Sequence, residues 1–133
     1  MPGEPQFGGP IFLTGMYRSG TSLVSQVLNN HPRLRVIYDN LHFFRFYLGK
    51  YLPVQDRYSD IVWEAEQRLN ERWGIHVPAD RILKRLSSNA TLELKDVYDA
   101  IMVETFCDGD RDFRWGEKSL IQWSNIPLFL QMF

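Results

Sequence analysis

Cysteine is almost absent from this chain. One residue in 133, Cys107, carries a thiol. A lone cysteine excludes an intrachain disulfide and any multi-cysteine zinc site, and it is compatible with a reducing compartment. The expected role of Cys107 is core filling on a helix. Charge of one sign is also missing: the net formal charge is −1, so no global field draws in nucleic acid or an anionic membrane. No apolar run approaches the roughly 20 residues of a membrane span. The first residues, Met1-Pro2-Gly3-Glu4-Pro5, lack the basic-then-apolar order of a signal peptide. They read as the start of a flexible leader over 1–9. Internal repeats and low-complexity tracts are absent. These absences predict a single domain without a membrane span, located in the cytoplasm.

What is present is a dense core-forming composition and one informative loop. Hydrophobic residues make up 44% and aromatics 14% of the chain, enough for a folded core. The apolar run Pro10 to Thr14 precedes Gly15-Met16-Tyr17-Arg18-Ser19-Gly20-Thr21-Ser22, and an amphipathic run, Leu23 to Leu28, follows. Strand, glycine-bounded loop and helix start make the layout of a phosphate cradle. The first N–H groups of a helix have no internal partner and converge on an anion. The loop nearly matches the nucleoside-triphosphatase pattern G-x-x-x-x-G-K-[ST]. Thr21 stands where that pattern has its lysine, and the cation is Arg18, inside the loop. A guanidinium fork there suits paired oxygens. The plainer reading is a strand-to-helix turn with a solvated arginine.

The rest of the chain reads as alternating elements. Strands are expected near 11–15, 34–38 and 113–117, the first two parallel because a helix joins them. The first helix is expected over Thr21 to Asn30, with Leu23, Val24, Val27 and Leu28 on its buried face. Further helices are expected over Leu41–Tyr51, Asp60–Trp73, Ala79–Leu86, Thr91–Cys107 with Thr91 as cap, and Ile126–Phe133. Trp115 and Trp123 read as core. The apolar end, Leu128 to Phe133, is expected to pack on the core, on a segment beyond Phe133, or on a second copy in an oligomer.

Phe12 to Leu23, followed by His31-Pro32, resembles the start of the sulfotransferases: an apolar strand, G-x-[PY]-[RK]-S-G-T-[TS]-L, a helix, then H-P. His42-Phe43-Phe44 and Trp115-Gly116-Glu117-Lys118-Ser119 are similar to two later family marks in the right order. The resemblance implies an α/β fold, a three-layer P-loop-like sandwich whose short parallel sheet is flanked by helices. It implies transfer of a sulfuryl group from phosphoadenylyl sulfate (PAPS) to a hydroxyl or amine, on a carbohydrate or another small molecule, without a metal. Carried over by position, Arg18 matches the cation that stabilises the leaving oxygen. Tyr17, Arg18, Ser19, Gly20, Thr21 and Ser22 match the donor cradle. The family's second donor-phosphate segment, R-D-P-like, does not occur, so the domain is expected to be incomplete at its C-terminus, with 1–133 carrying the phosphosulfate half.

Transfer to a hydroxyl needs a proton acceptor. Asp39, at the end of the second strand, reads equally as that base or as a cap for the following helix. His42 reads as base, substrate hydrogen-bonder or structural histidine. Glu117 and Lys118 line the acceptor pocket or form an ion pair that orders the loop. Tyr47, Tyr51 and Tyr58 are further pocket candidates. Arg68, Arg72, Arg81, Lys84 and Arg85 read as a solvated face, with an anionic-acceptor site as the alternative. Two rival functions stand beside the transferase: a P-loop nucleotide-binding or kinase-type protein, and a non-catalytic degenerate sulfotransferase module.

Overall fold

The computed structural model describes residues 9–16 and 20–133. The leader 1–8 and the loop residues Tyr17, Arg18 and Ser19 lie outside the described residues.

Three short strands form one parallel sheet: β1 Ile11–Leu13, β2 Leu34–Tyr38 and β3 Arg114–Lys118. The order is β1-β3-β2. β1 and β2 are parallel, as their connecting helix requires, but β3 lies between them. The register pairs Leu13 and Tyr38 with Lys118, so all three strands end at one level. Gly116 is required in the middle of β3. A Cβ there would lie 3.0 Å from Ile11 Cβ, 3.1 Å from the Ile11 carbonyl oxygen and 3.1 Å from Val36 Cγ2.

Helix α1, Thr21–Asn29, crosses one face. Its polar stripe, not its apolar one, meets the sheet. Ser25 is fully buried, whereas Leu23 is 66% and Val27 59% exposed. The expected buried face is therefore corrected. Thr21, Ser25 and Leu28 recur on one helical stripe, and Asn29 anchors it by clasping β2. The Asn29 amide donates to the Val36 carbonyl and accepts from the Val36 N–H, both at 2.6 Å.

The opposite face carries α2 Phe43–Tyr47, α3 Val54–Trp73, α4 Ala79–Ser87, α5 Leu94–Phe106 and α6 Ile126–Met132. α2 is shorter than expected, and Pro53, six residues after α2 ends, is the N-cap of α3 rather than merely the end of a longer helix. Residues 54–59 were missed because their apolar spacing is sparse. Gly74 closes α3 in the left-handed conformation, φ 63°, where glycine carries no Cβ penalty. α5 is capped by Glu93, not Thr91: the Glu93 N–H donates to Asp96 Oδ2 at 2.8 Å in a reciprocal capping box.

The core lies between these helices and the sheet. Phe43 stacks on Tyr98 with centroids 4.0 Å apart, and Phe12 stacks on Phe129 at 5.0 Å. The apolar end thus packs back on the core through Phe129, while Leu130 stays exposed. Trp115 is core; Trp123 is half-exposed, against expectation, at the start of a 3-10 turn that buries none of its residues. Cys107 ends α5 in the core, and burial pushes its thiol up to about 11.

Candidate functional site

Three loops leave the sheet at the same end because the three strands stop in register. Their residues enclose a cavity of about 770 Å³, within the range of small-molecule sites. The loop after β1 supplies Gly20, Thr21 and Ser22; the loop after β2 supplies Asp39 and His42; the loop after β3 supplies Leu120, Ile121 and Gln122. Two hydrogen bonds tie the first loop to the third. Ile121 N–H donates to the Gly15 carbonyl at 2.8 Å, and Gln122 N–H donates to Thr14 Oγ1 at 2.9 Å. Gly20 holds φ 85° and hands the chain to α1, whose opening N–H groups face no intrahelical acceptor. Three non-glycine residues with left-handed backbone line this one cavity: Asp39 (φ 60°), His42 (φ 49°) and Ile121 (φ 58°). Such strain costs on the order of 1–3 kcal/mol per residue and concentrates at functional sites.

Lys118 is the central cation among the described residues. Its side chain is 2% exposed, yet its ammonium lies at the cavity wall, 2.7 Å from Asp39 Oδ2 and 3.3 Å from Ser22 Oγ. It therefore bridges the helix start that follows the glycine loop and the end of β2. An ammonium this enclosed is held by its carboxylate partner. Sequence reasoning had paired Lys118 with Glu117 in an ion pair or a shared acceptor role. The structure separates them, because adjacent strand residues point to opposite faces.

Glu117 projects into the core, not the cavity. It accepts from His42 N–H at 2.8 Å, from Phe43 N–H at 3.2 Å and from the Tyr98 hydroxyl. It caps the N-terminus of α2 from the central strand. Burial drives its carboxyl up to about 7, with the Tyr98 hydrogen bond and the two amides pulling the other way. The cap of α2 thus comes from Glu117; Asp39, read as either base or cap, is engaged with Lys118 instead of capping, and the residue preceding the helix is His42.

His42 lies at the junction of two cavities. Its Nδ1 is 2.9 Å from Ser119 Oγ. Burial lowers its pKa below 6.5, opposed by Asp39, so the ring is neutral at pH 7. A second cavity of about 320 Å³ shares Asp39, His42 and Arg45 with the first and adds Phe46, Arg68, Arg72 and Trp73. Of the tyrosines expected to shape a pocket, Tyr47 is core, Tyr51 donates to Glu64 at 2.8 Å, and none of Tyr47, Tyr51 and Tyr58 lines either cavity. Arg81 and Arg85 clasp Glu104 at 2.7 and 2.6 Å, far from the site.

Of the predicted site residues, Gly20, Thr21, Ser22, Asp39 and His42 come together around one cavity. Tyr17, Arg18 and Ser19 lie outside the described residues. Lys118 was undervalued. The signal that finds it is its position as the last residue of a buried strand in a parallel sheet, the end where such sheets bind ligands. Among the described residues no group of three or more His, Cys, Asp or Glu side chains is arranged to hold a metal ion, and no helix is long and apolar enough to cross a membrane.

Compared with known proteins, residues 10–133 match a family model described as the sulfotransferase family. No curated protein and no solved structure gives a match.

Proposed function

Starting from the fact that the chain belongs to the sulfotransferase family, we propose that it transfers a sulfuryl group from PAPS to a hydroxyl acceptor at the cavity where β1, β2 and β3 end. The observation that carries this reading is the Lys118 ammonium, held between Ser22 of the loop-and-helix cradle and Asp39.

The roles follow from the chemistry. Gly20, Thr21 and Ser22, with the opening turn of α1, cradle the phosphosulfate end of the donor, and Tyr17, Arg18 and Ser19 extend that cradle. Lys118 and Arg18 stabilise negative charge on the transferring and leaving oxygens, an electrostatic role that removal of one group typically weakens by about 10²–10³-fold. His42 is the better proton acceptor of the two candidates: it is neutral at pH 7 and its ring borders both cavities. Asp39 is the alternative base, and its contact with Lys118 lowers its claim. In the step, the acceptor oxygen bonds to sulfur, the bond from sulfur to the bridging oxygen breaks, the electron pair stays on the departing phosphate, and the acceptor proton passes to His42.

The residues present account for the phosphosulfate end of the donor; the other donor phosphate has no assigned residues, and a cytoplasmic location and any oligomer belong to the same proposal. Calorimetry with the desulfated product PAP, against ATP plus magnesium, tests it. Binding of PAP in preference to ATP is expected. Tighter binding of ATP would point to the nucleotide-binding alternative, and binding of neither to the non-catalytic module.

A further inference from the structure

We infer that the second cavity selects an acceptor that carries a carboxylate beside its reacting hydroxyl, the carboxylate held by Arg45, Arg68 and Arg72. The inference rests on the acceptor side of the reading above and names its substrate class.

Three guanidiniums gather at a cavity of about 320 Å³ that shares Asp39, His42 and Arg45 with the reaction cavity. Its one carboxylate, Asp39, is engaged with Lys118. Neither Arg45 nor Arg72 has an ion-pair partner among the described residues. Glu64, the acidic group nearest Arg68 in charge effect, is engaged with Lys50 at 2.7 Å and with Tyr51. A protein of net charge −1 has no general need to crowd like charges, and crowding them costs free energy unless an anion joins them.

Arg68 is the most constrained of the three. Its guanidinium lies 3.7 Å over the Phe46 ring and donates through Nη2 to the Leu41 carbonyl. Its Nη1 has no hydrogen-bond partner among the described residues, and such a donor is costly to leave unmade. Stacking thus fixes the Arg68 charge at the cavity wall, while the exposed Arg45 and Arg72 supply the planar donor forks that match a carboxylate. Trp73, half-exposed at the rim, supplies a flat apolar wall for the body of the acceptor. The shared residue His42 then places the reacting hydroxyl beside the base, while the carboxylate reaches the arginines.

The test compares methyl β-glucuronide with methyl β-glucoside, one ring with and without the carboxylate, by NMR titration of the full chain with PAP present. The glucuronide is expected to bind at least tenfold tighter at low salt, with the preference shrinking as salt rises. Arg72→Gln and Arg45→Gln, both at exposed side chains, are expected to bring the ratio below about threefold. Equal affinity for the two glycosides, or a ratio untouched by both substitutions, overturns the inference. PAP binding measured in the same samples reports separately on the donor reading: its loss would sink that reading, whatever the glycosides do.

Discussion

Replacing Glu117 by Gln should change the slope of stability against pH more than stability itself. Glu117 is fully buried, and its carboxyl titrates at about 7 in the folded chain against 4.5 for the ordinary group. The folded value is raised. Below pH 4.5 both states hold the proton and the carboxyl costs nothing. Between 4.5 and 7 the unfolded chain releases its proton while the folded chain keeps it, so stability falls as pH rises. Above 7 the loss is complete. A gap of about two and a half pH units, at about 1.4 kcal/mol each, makes that loss about 3 kcal/mol. Glutamine does not titrate, so the slope disappears. It also presents N–H groups where His42 N–H, Phe43 N–H and the Tyr98 hydroxyl all donate, a mismatch worth about 1–3 kcal/mol at every pH. Urea denaturation of both proteins from pH 4.5 to 7.5 reads the difference directly. The wild type should lead at pH 4.5 and lose that lead, by about 3 kcal/mol, near neutrality. A difference that stays flat across the range would refute the claim that Glu117 is ionised at a cost inside the core.

Lys118→Met should lower turnover by about 10²–10³-fold while the urea midpoint changes little, measured by sulfate transfer and denaturation on the same sample; near-normal turnover would remove Lys118 from the mechanism. His42→Asn should cost about 10²–10⁴-fold in kcat/KM, and the wild-type profile should hold level to below pH 6.5 before falling, because burial lowers the His42 pKa. If His42→Asn stays active and Asp39→Asn does not, Asp39 is the base. Arg18→Ala should abolish transfer with the fold intact by circular dichroism, since Arg18 is the cation within the cradle motif; normal turnover would exclude that role. Gly116→Ala should destabilise by about 1–3 kcal/mol, because the new methyl meets the β1 backbone at 3.1 Å; an unchanged urea midpoint would mean the strands separate freely.

Strongly periodic segments were legible in the sequence. α3 ends at Trp73 and α5 lies within Thr91–Cys107, both as expected. α1 was misread for a physical reason. Leu23, Val24 and Val27 share a helical stripe, but a helix is oriented by its whole set of contacts, and Thr21, Ser25, Leu28 and the Asn29 clasp on β2 outweigh that stripe. Tyr47 was read as a pocket residue because aromatic type does not distinguish core from cavity wall. Arg45 gave no signal of its own; it enters the site because a short helix turns it toward a cavity built by distant loops.

The sequence by itself determined the glycine-bounded loop, the parallel character of the sheet and the family. Each depends on local spacing and on the handedness of strand-helix-strand connections. It also placed Glu117 and Lys118 at the end of the third strand, the end where parallel sheets bind ligands. Which of them faces the cavity was decided only by tertiary structure. Inserting β3 between β1 and β2, with α1 on one face and α2 and α5 on the other, sends Lys118 to Ser22 and Asp39 and sends Glu117 to Tyr98 and the start of α2. Apart from the Tyr98 contact, 19 positions away, those contacts join residues 74 to 96 positions apart, a range at which no local pattern carries information.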